Sequence, residues 1–247
     1  MYAQQDTIYS SIMLIPFNPK MYISDVDRAL TTKSELSPEE IREKFRLGLD
    51  VNLHAQIFTK YNSKPLLKDT SATAFKDLVR IYHSLNYEYA IPERTLLEVE
   101  EENKKFKNKI KGFFKKEKEE ETIEHGLFHD ETSKEVRRYD EDKYLKASVT
   151  DINLLPYLHQ TYQTELFLFV NQFEITTDFE SCIDLQNGIY ERVMKVHFNV
   201  YDKNNNMLQG DYSEVRFPST QNDIIFITRE HLPKISQHLS TLIPYYK

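Results

Sequence analysis

The sequence predicts an α/β (α+β) fold, a single mixed sheet flanked by helices on one or both faces. Three stretches carry that expectation. Leu166 to Val170 is an unbroken apolar run of strand-prone residues, the pattern of a strand covered on both faces in mid-sheet. Ser37-Pro-Glu-Glu40 opens a long helix on which Ile41, Phe45, Leu49, Leu53 and Ile57 recur every four residues. Asp202-Lys-Asn-Asn-Asn206 is a turn between two strand-like runs, and so marks a hairpin.

Taken in order, Ile8 to Phe17 is the first strand, with Ile12 to Ile15 buried and Pro16 closing it, because proline donates no ladder hydrogen bond. Residues 18–36 form a polar connection in which Met21, Tyr22 and Ile23 tuck back and Asp25 to Leu30 makes a helical turn. At the next helix Ser37 caps, Pro38 fits the first position and Glu40 completes a capping box. After a turn at Pro65 comes a second helix. It is capped by Asp69, Thr70 or Ser71 and has Phe75, Leu78, Val79, Tyr82 and Leu85 as its apolar face. Asn86 to Ile91 alternates as a short strand ended by Pro92.

Residues 96–142 change character. Opposed charge blocks and sparse apolar residues predict a solvated, partly helical insertion inside one domain spanning 1–247. Lys143 to Val149 is a strand, and Asp151 caps a short helix carrying Leu154, Leu155, Leu158 and Tyr162. The central strand follows over Glu165 to Thr176. Ile189 to Tyr201 and Met207 to Phe217 are the hairpin strands. The loop 218–223 then leads to the apolar run Ile224 to Ile227. Thr228 caps the last helix, which bears Leu232, Ile235, Leu239 and Leu242 and stops at Pro244.

Composition narrows the function. A net charge of −7 over 247 residues disfavours a general nucleic-acid or anionic-membrane binder, both of which need a basic face. Five glycines and neither GxGxxG nor GxxxxGK[ST] disfavour a common nucleotide-dependent enzyme, and no GxSxG elbow is present. Cys182 is the single cysteine, so no intrachain disulfide forms, and it reads as a small side chain without an activating histidine. Tyr2-Ala3 followed by Gln-Gln-Asp6 has the pattern of a secretory cleavage site, which predicts export to the periplasm or outer membrane. The alternative is a cytosolic protein starting at Met1. No lipid-anchor cysteine is recognisable.

Glu124-His-Gly-Leu-Phe-His-Asp-Glu131 is the one cluster with metal-ligand spacing. On a helix His125 and His129 share a face, with Glu124, Asp130 or Glu131 as third ligand. Gly126 stands where a zincin has its general-base glutamate, so a solvated segment is preferred over a metal-dependent hydrolase. His197 reads as a hydrogen-bonded structural histidine, with Asp184, Glu191 and Arg192 near it only in sequence. Residues 104–116, with Phe106, Ile110, Phe113 and Phe114, form a basic amphipathic face that could touch a membrane, although the acids Glu117 to Glu121 can neutralise it.

The strand Ile12-Met-Leu-Ile-Pro-Phe17 before a long amphipathic helix resembles the opening of exported envelope proteins of Gram-negative bacteria with a TolB N-terminal-like or CsgG-like domain. Asp151-Ile-Asn-Leu-Leu-Pro-Tyr-Leu158 with Thr164 to Phe173, and the turn at Tyr201 to Asn206, are similar to that family's later helix-strand-hairpin unit. The resemblance implies an α/β domain that assembles with envelope partners and catalyses nothing. It transfers no catalytic, cofactor or metal residues. The expectation is therefore a non-enzymatic periplasmic protein acting by protein–protein contact without a cofactor. The alternatives are the His125/His129 hydrolase and the cytosolic interaction module.

Overall fold

The computed structural model describes residues 11–94 and 143–244. The chain divides into two compact units, residues 1–88 with 145–247, and Tyr89–Tyr144. In the first, β1 (Ser11–Ile15) is followed by a short 3-10 turn, β2 (Tyr22–Ser24), α1 (Asp27–Ser34), α2 (Pro38–Ile57), β3 (Asn62–Pro65) and α3 (Ala72–His83). β4 (Leu85–Ala90) and β5 (Tyr144–Val149) form a separate two-stranded sheet. Then come α4 (Leu154–Tyr162), β6 (Leu166–Asp184), β7 (Ile189–Asp202), β8 (Met207–Pro218) and α5 (Ile224–Leu242).

The main sheet is mixed and has the order β3-β1-β6-β7-β8, so the fold is α/β. β1 runs parallel to both β3 and β6, whereas β6, β7 and β8 form an antiparallel meander. β2 continues the edge of β6 beyond β1, pairing Tyr22 to Ser24 with Phe173 to Ile175. Side-chain alternation divides the core. Ile12, Leu14, Leu166, Leu168, Val196 and Phe198 face α1, α2 and α5. Met13, Ile15, Phe167 and Phe169 face α3 and α4. That double coverage is why the central strand reads as a continuous apolar run.

The capping box of α2 is present: Glu40 N–H donates to Ser37 Oγ (3.2 Å) and Ser37 N–H to the Glu40 carboxylate (2.8 Å). Several expectations are corrected. β3 lies in a polar stretch that had read as a turn, because its pairing to β1 needs only backbone. On α3, Phe75 is 70% exposed and Val79 is also exposed. The buried face is Ala74, Asp77 and Ile81, and it is turned inward by Asp77, which accepts hydrogen bonds from Tyr157 (3.1 Å) and Tyr162 (2.7 Å). Leu85 belongs to β4, not to that helix. Ile224 to Ile227 is the first turn of α5. Its cap is Asp223, which accepts from the N–H groups of Ile225 (2.8 Å) and Phe226 (3.1 Å), not Thr228.

Candidate functional site

Two regions concentrate polar or exposed apolar chemistry. The first is the sheet face under β5. A bulge at Asn171 interrupts the β6–β7 register between Val170 and Gln172. Asn171 follows Phe167 and Phe169 onto the face that carries His197, Asn199 and Tyr201, and the bulge returns Phe173 and Ile175 to the other face. These four side chains bond the backbone of β5. Leu145 N–H donates to His197 Nδ1 (2.9 Å) and Ala147 N–H to Asn199 Oδ1 (2.8 Å). Asn171 Nδ2 donates to Leu145 O (2.7 Å) and to Asn199 Oδ1 (2.6 Å), and the Tyr201 hydroxyl donates to Ala147 O (2.8 Å). Side chains thus do for one edge of β5 what a neighbouring strand would do.

His197 is fully buried, and burial holds its pKa below the usual histidine value even though Glu174 pulls the other way. Nε2 lies 3.2 Å from Glu174 Oε1 but is not aligned for a hydrogen bond. The three residues near it in sequence do not converge on it. Asp184 caps its own turn, Glu191 pairs with Arg216 (3.3 Å), and Arg192 donates to Gln221 O (2.7 Å) from the opposite face of β7. Among the described residues no three His, Cys, Asp or Glu side chains gather as metal ligands. His125, His129, Glu124, Asp130 and Glu131, and the 104–116 segment, lie outside the described residues.

The second region is a ribbon formed by the far ends of β6 and β7. β2 stops pairing at Ile175 and β8 at Glu191. Past those points the two strands continue with no third strand from the described residues beside them, up to the turn at Leu185–Gly188. Phe179 (70% exposed), Ile183 (51%) and Leu185 (84%) project from it, and the Phe179 ring meets Tyr190 edge-on at 5.3 Å. The ribbon is held at both ends. Arg216 ties its root, reaching Asp178 (3.2 Å), Glu191 (3.3 Å) and Glu214 (3.3 Å). At the tip Asp184 accepts from the N–H groups of Gln186 (3.0 Å) and Asn187 (3.2 Å), and Gly188 takes a positive φ of 63°. Cys182 lies exposed on the same ribbon, with Sγ 3.6 Å from Ile189 O.

Sequence reading ended the central strand at Thr176 and so missed this ribbon. Register shifts between Asp178 and Cys182 and between Cys182 and Asp184 break the alternation by which strands are recognised. The signal that was available is Asn187-Gly188, a strong hairpin dipeptide. Between Thr177 and Tyr190 the charged residues are Asp178, Glu180 and Asp184, all acidic.

Among the described residues no helix is long and apolar enough to cross a membrane. No protein-family model matches the chain, and no curated protein matches it. Among solved structures the chain is similar to a lipoprotein from Neisseria meningitidis, at 11% identity and a TM-score of 0.33, with 95% of this chain and 97% of that one covered.

Proposed function

We propose that the protein works without chemistry of its own, as an interaction component of the bacterial envelope, and that the β6–β7 ribbon engages a partner protein. The observation that carries this reading is the exposure of Phe179, Ile183 and Leu185 on a ribbon fastened at root and tip. Fully burying one such side chain contributes about 1.5–3 kcal/mol. Three together, already ordered, are enough to anchor a specific contact. The acids Asp178, Glu180 and Asp184 around them disfavour an anionic bilayer and favour a protein groove with a basic rim. The bulges that twist the ribbon also spoil its outer edge as a pairing template, so recognition goes through side chains. The envelope setting rests on the resemblance of the Ile12–Phe17 strand and its following helix to TolB-N/CsgG-like domains.

The test is to capture partners from an envelope fraction with the intact chain, purify the captured protein, and measure its affinity for the wild type and for Phe179→Ser/Leu185→Ser. The double variant should keep its melting temperature, because both residues are exposed, and should lose at least tenfold in affinity. Affinity unchanged by the double variant, or flotation with anionic vesicles that the variant abolishes, overturns the reading.

A further inference from the structure

The tip of the β6–β7 ribbon carries Asn187-Gly188, the single Asn-Gly pair of the chain. Every other asparagine precedes a residue with a side chain, and Asn18 precedes a proline, which has no N–H to lose. An asparagine amide is open to attack by the backbone nitrogen of the next residue. Glycine in that place leaves the nitrogen unshielded and its backbone angles unrestricted. Asn187 and Gly188 are both exposed, Gly188 takes a φ of 63°, and a Cβ on it would meet no atom within 4 Å beyond its chain neighbours. The Gly188 N–H is turned to Leu185 O at 3.4 Å, longer than an ordinary hydrogen bond, so the attacking nitrogen is weakly held.

The amide under attack is also part of the fastening of the turn. Asn187 Nδ2 donates to Asp184 Oδ2 (2.6 Å), and the Gln186 and Asn187 N–H groups donate to Asp184 Oδ1 (3.0 and 3.2 Å). The bond from the Asn187 side chain is the largest reason that the Asp184 carboxyl lies below the usual aspartate range, so this carboxylate is charged at neutral pH. The turn therefore depends on a neutral donor at position 187.

We propose that Asn187 is a self-modifying site whose deamidation unfastens the tip of the ribbon. Gly188 N gives up its proton to hydroxide and attacks Asn187 Cγ. The N–Cγ bond forms, the Cγ–Nδ2 bond breaks, and the amide nitrogen takes a proton from water and leaves as ammonia. Water then opens the cyclic imide at either carbonyl, giving aspartate or an isoaspartate whose backbone runs through the former side chain. Both steps are acyl transfers, and nothing is oxidised or reduced. The aspartate product sets a second carboxylate beside Asp184, acceptor against acceptor and charge against like charge. The isoaspartate product adds an atom to the backbone of the Leu185–Gly188 turn. The unfastened tip is the part of the ribbon that presents Ile183 and Leu185, so weaker partner binding follows. That consequence rests on the function proposed above, whereas the modification does not.

The experiment uses the intact chain without a partner. Wild type and Asn187→Gln, whose longer side chain closes to an imide far less readily, are incubated at mildly acid and mildly alkaline pH. Their peptides are mapped by mass spectrometry with electron-transfer fragmentation, which separates aspartate from isoaspartate. Asn187 should convert before any other asparagine, faster as pH rises and with release of ammonia, while Asn187→Gln stays intact at that position. First conversion at another asparagine, or a rate that does not rise with pH, overturns the site. NMR amide exchange then compares wild type with Asn187→Asp and with Asn187→Ser, which removes the donor without adding a charge. The amides of residues 186 and 187 should lose about tenfold in protection in Asn187→Asp and less in Asn187→Ser, with the melting temperature of the chain unchanged. Protection in Asn187→Asp equal to that of wild type overturns the unfastening.

Discussion

His197 shows how a single side chain can look functional and yet work for the fold. Its Nδ1 accepts the Leu145 N–H (2.9 Å), which fixes the tautomer with the proton on Nε2 and requires a neutral ring. Replacing it by phenylalanine would keep most of the volume but leave a buried N–H without an acceptor. That should cost about 1–3 kcal/mol, read from chemical denaturation at pH 7. The pH dependence has a definite sign. Burial depresses the folded pKa, so the unfolded chain takes up the proton first and stability falls as pH drops below about 6.5. His197→Phe should lose that slope. A wild-type profile unaltered by His197→Phe would refute the assignment. The motif Lys195-Val-His-Phe-Asn199 shows which residues share a face, but no pattern in it reveals that the backbone of β5 lies above them.

Among the elements, α2 was the most legible because its start, its stripe and its length are all local properties. Its partner was not legible. Gly48 sits where α2 meets α5, and a Cβ there would lie 2.8 Å from Leu232 Cδ1. Alanine would improve helix propensity by up to about 1 kcal/mol. Leu232 is fully buried, however, and overpacking a filled site costs about 1–3 kcal/mol. The clash should win, so Gly48→Ala should lower stability by about 1 kcal/mol. In a Leu232→Ala background the same change should become stabilising. A double-mutant cycle without that reversal of sign would show that the glycine is not there for the close approach. The β6–β7 ribbon fails in the opposite way. Its conformation depends on bulges and a capped turn, so its residues carry no regular alternation by which the strand could be followed past Thr176.

At the scale of the molecule, the class of the fold could be read because strand and helix signals interleave. The order β3-β1-β6 could not, because β3 is a polar four-residue strand whose backbone pairing with β1 leaves no apolar alternation in the sequence. The topology also makes a prediction about the segment between β4 and β5. Thr150 donates its N–H (2.8 Å) and its hydroxyl (3.0 Å) to Ser84 O, and Lys146 Nζ meets Glu88 Oε1 (2.8 Å). Residues that meet keep a constant sum of numbers, as in an antiparallel pair, and continuing that register sets Ala90 opposite Tyr144. A two-residue Asn-Gly turn can therefore replace residues 91–143. Loop-closure entropy favours the shorter connection by about 2–3 kcal/mol, so the first unit should stay folded unless the excised residues contribute more than that. The shortened chain should unfold in one cooperative transition, with the wild-type pH slope due to His197 and with unchanged affinity for any partner of the β6–β7 ribbon. A chain without a cooperative transition would show that the segment belongs to the core. A cooperative chain that no longer binds the partner would move the contact from the ribbon to the excised residues.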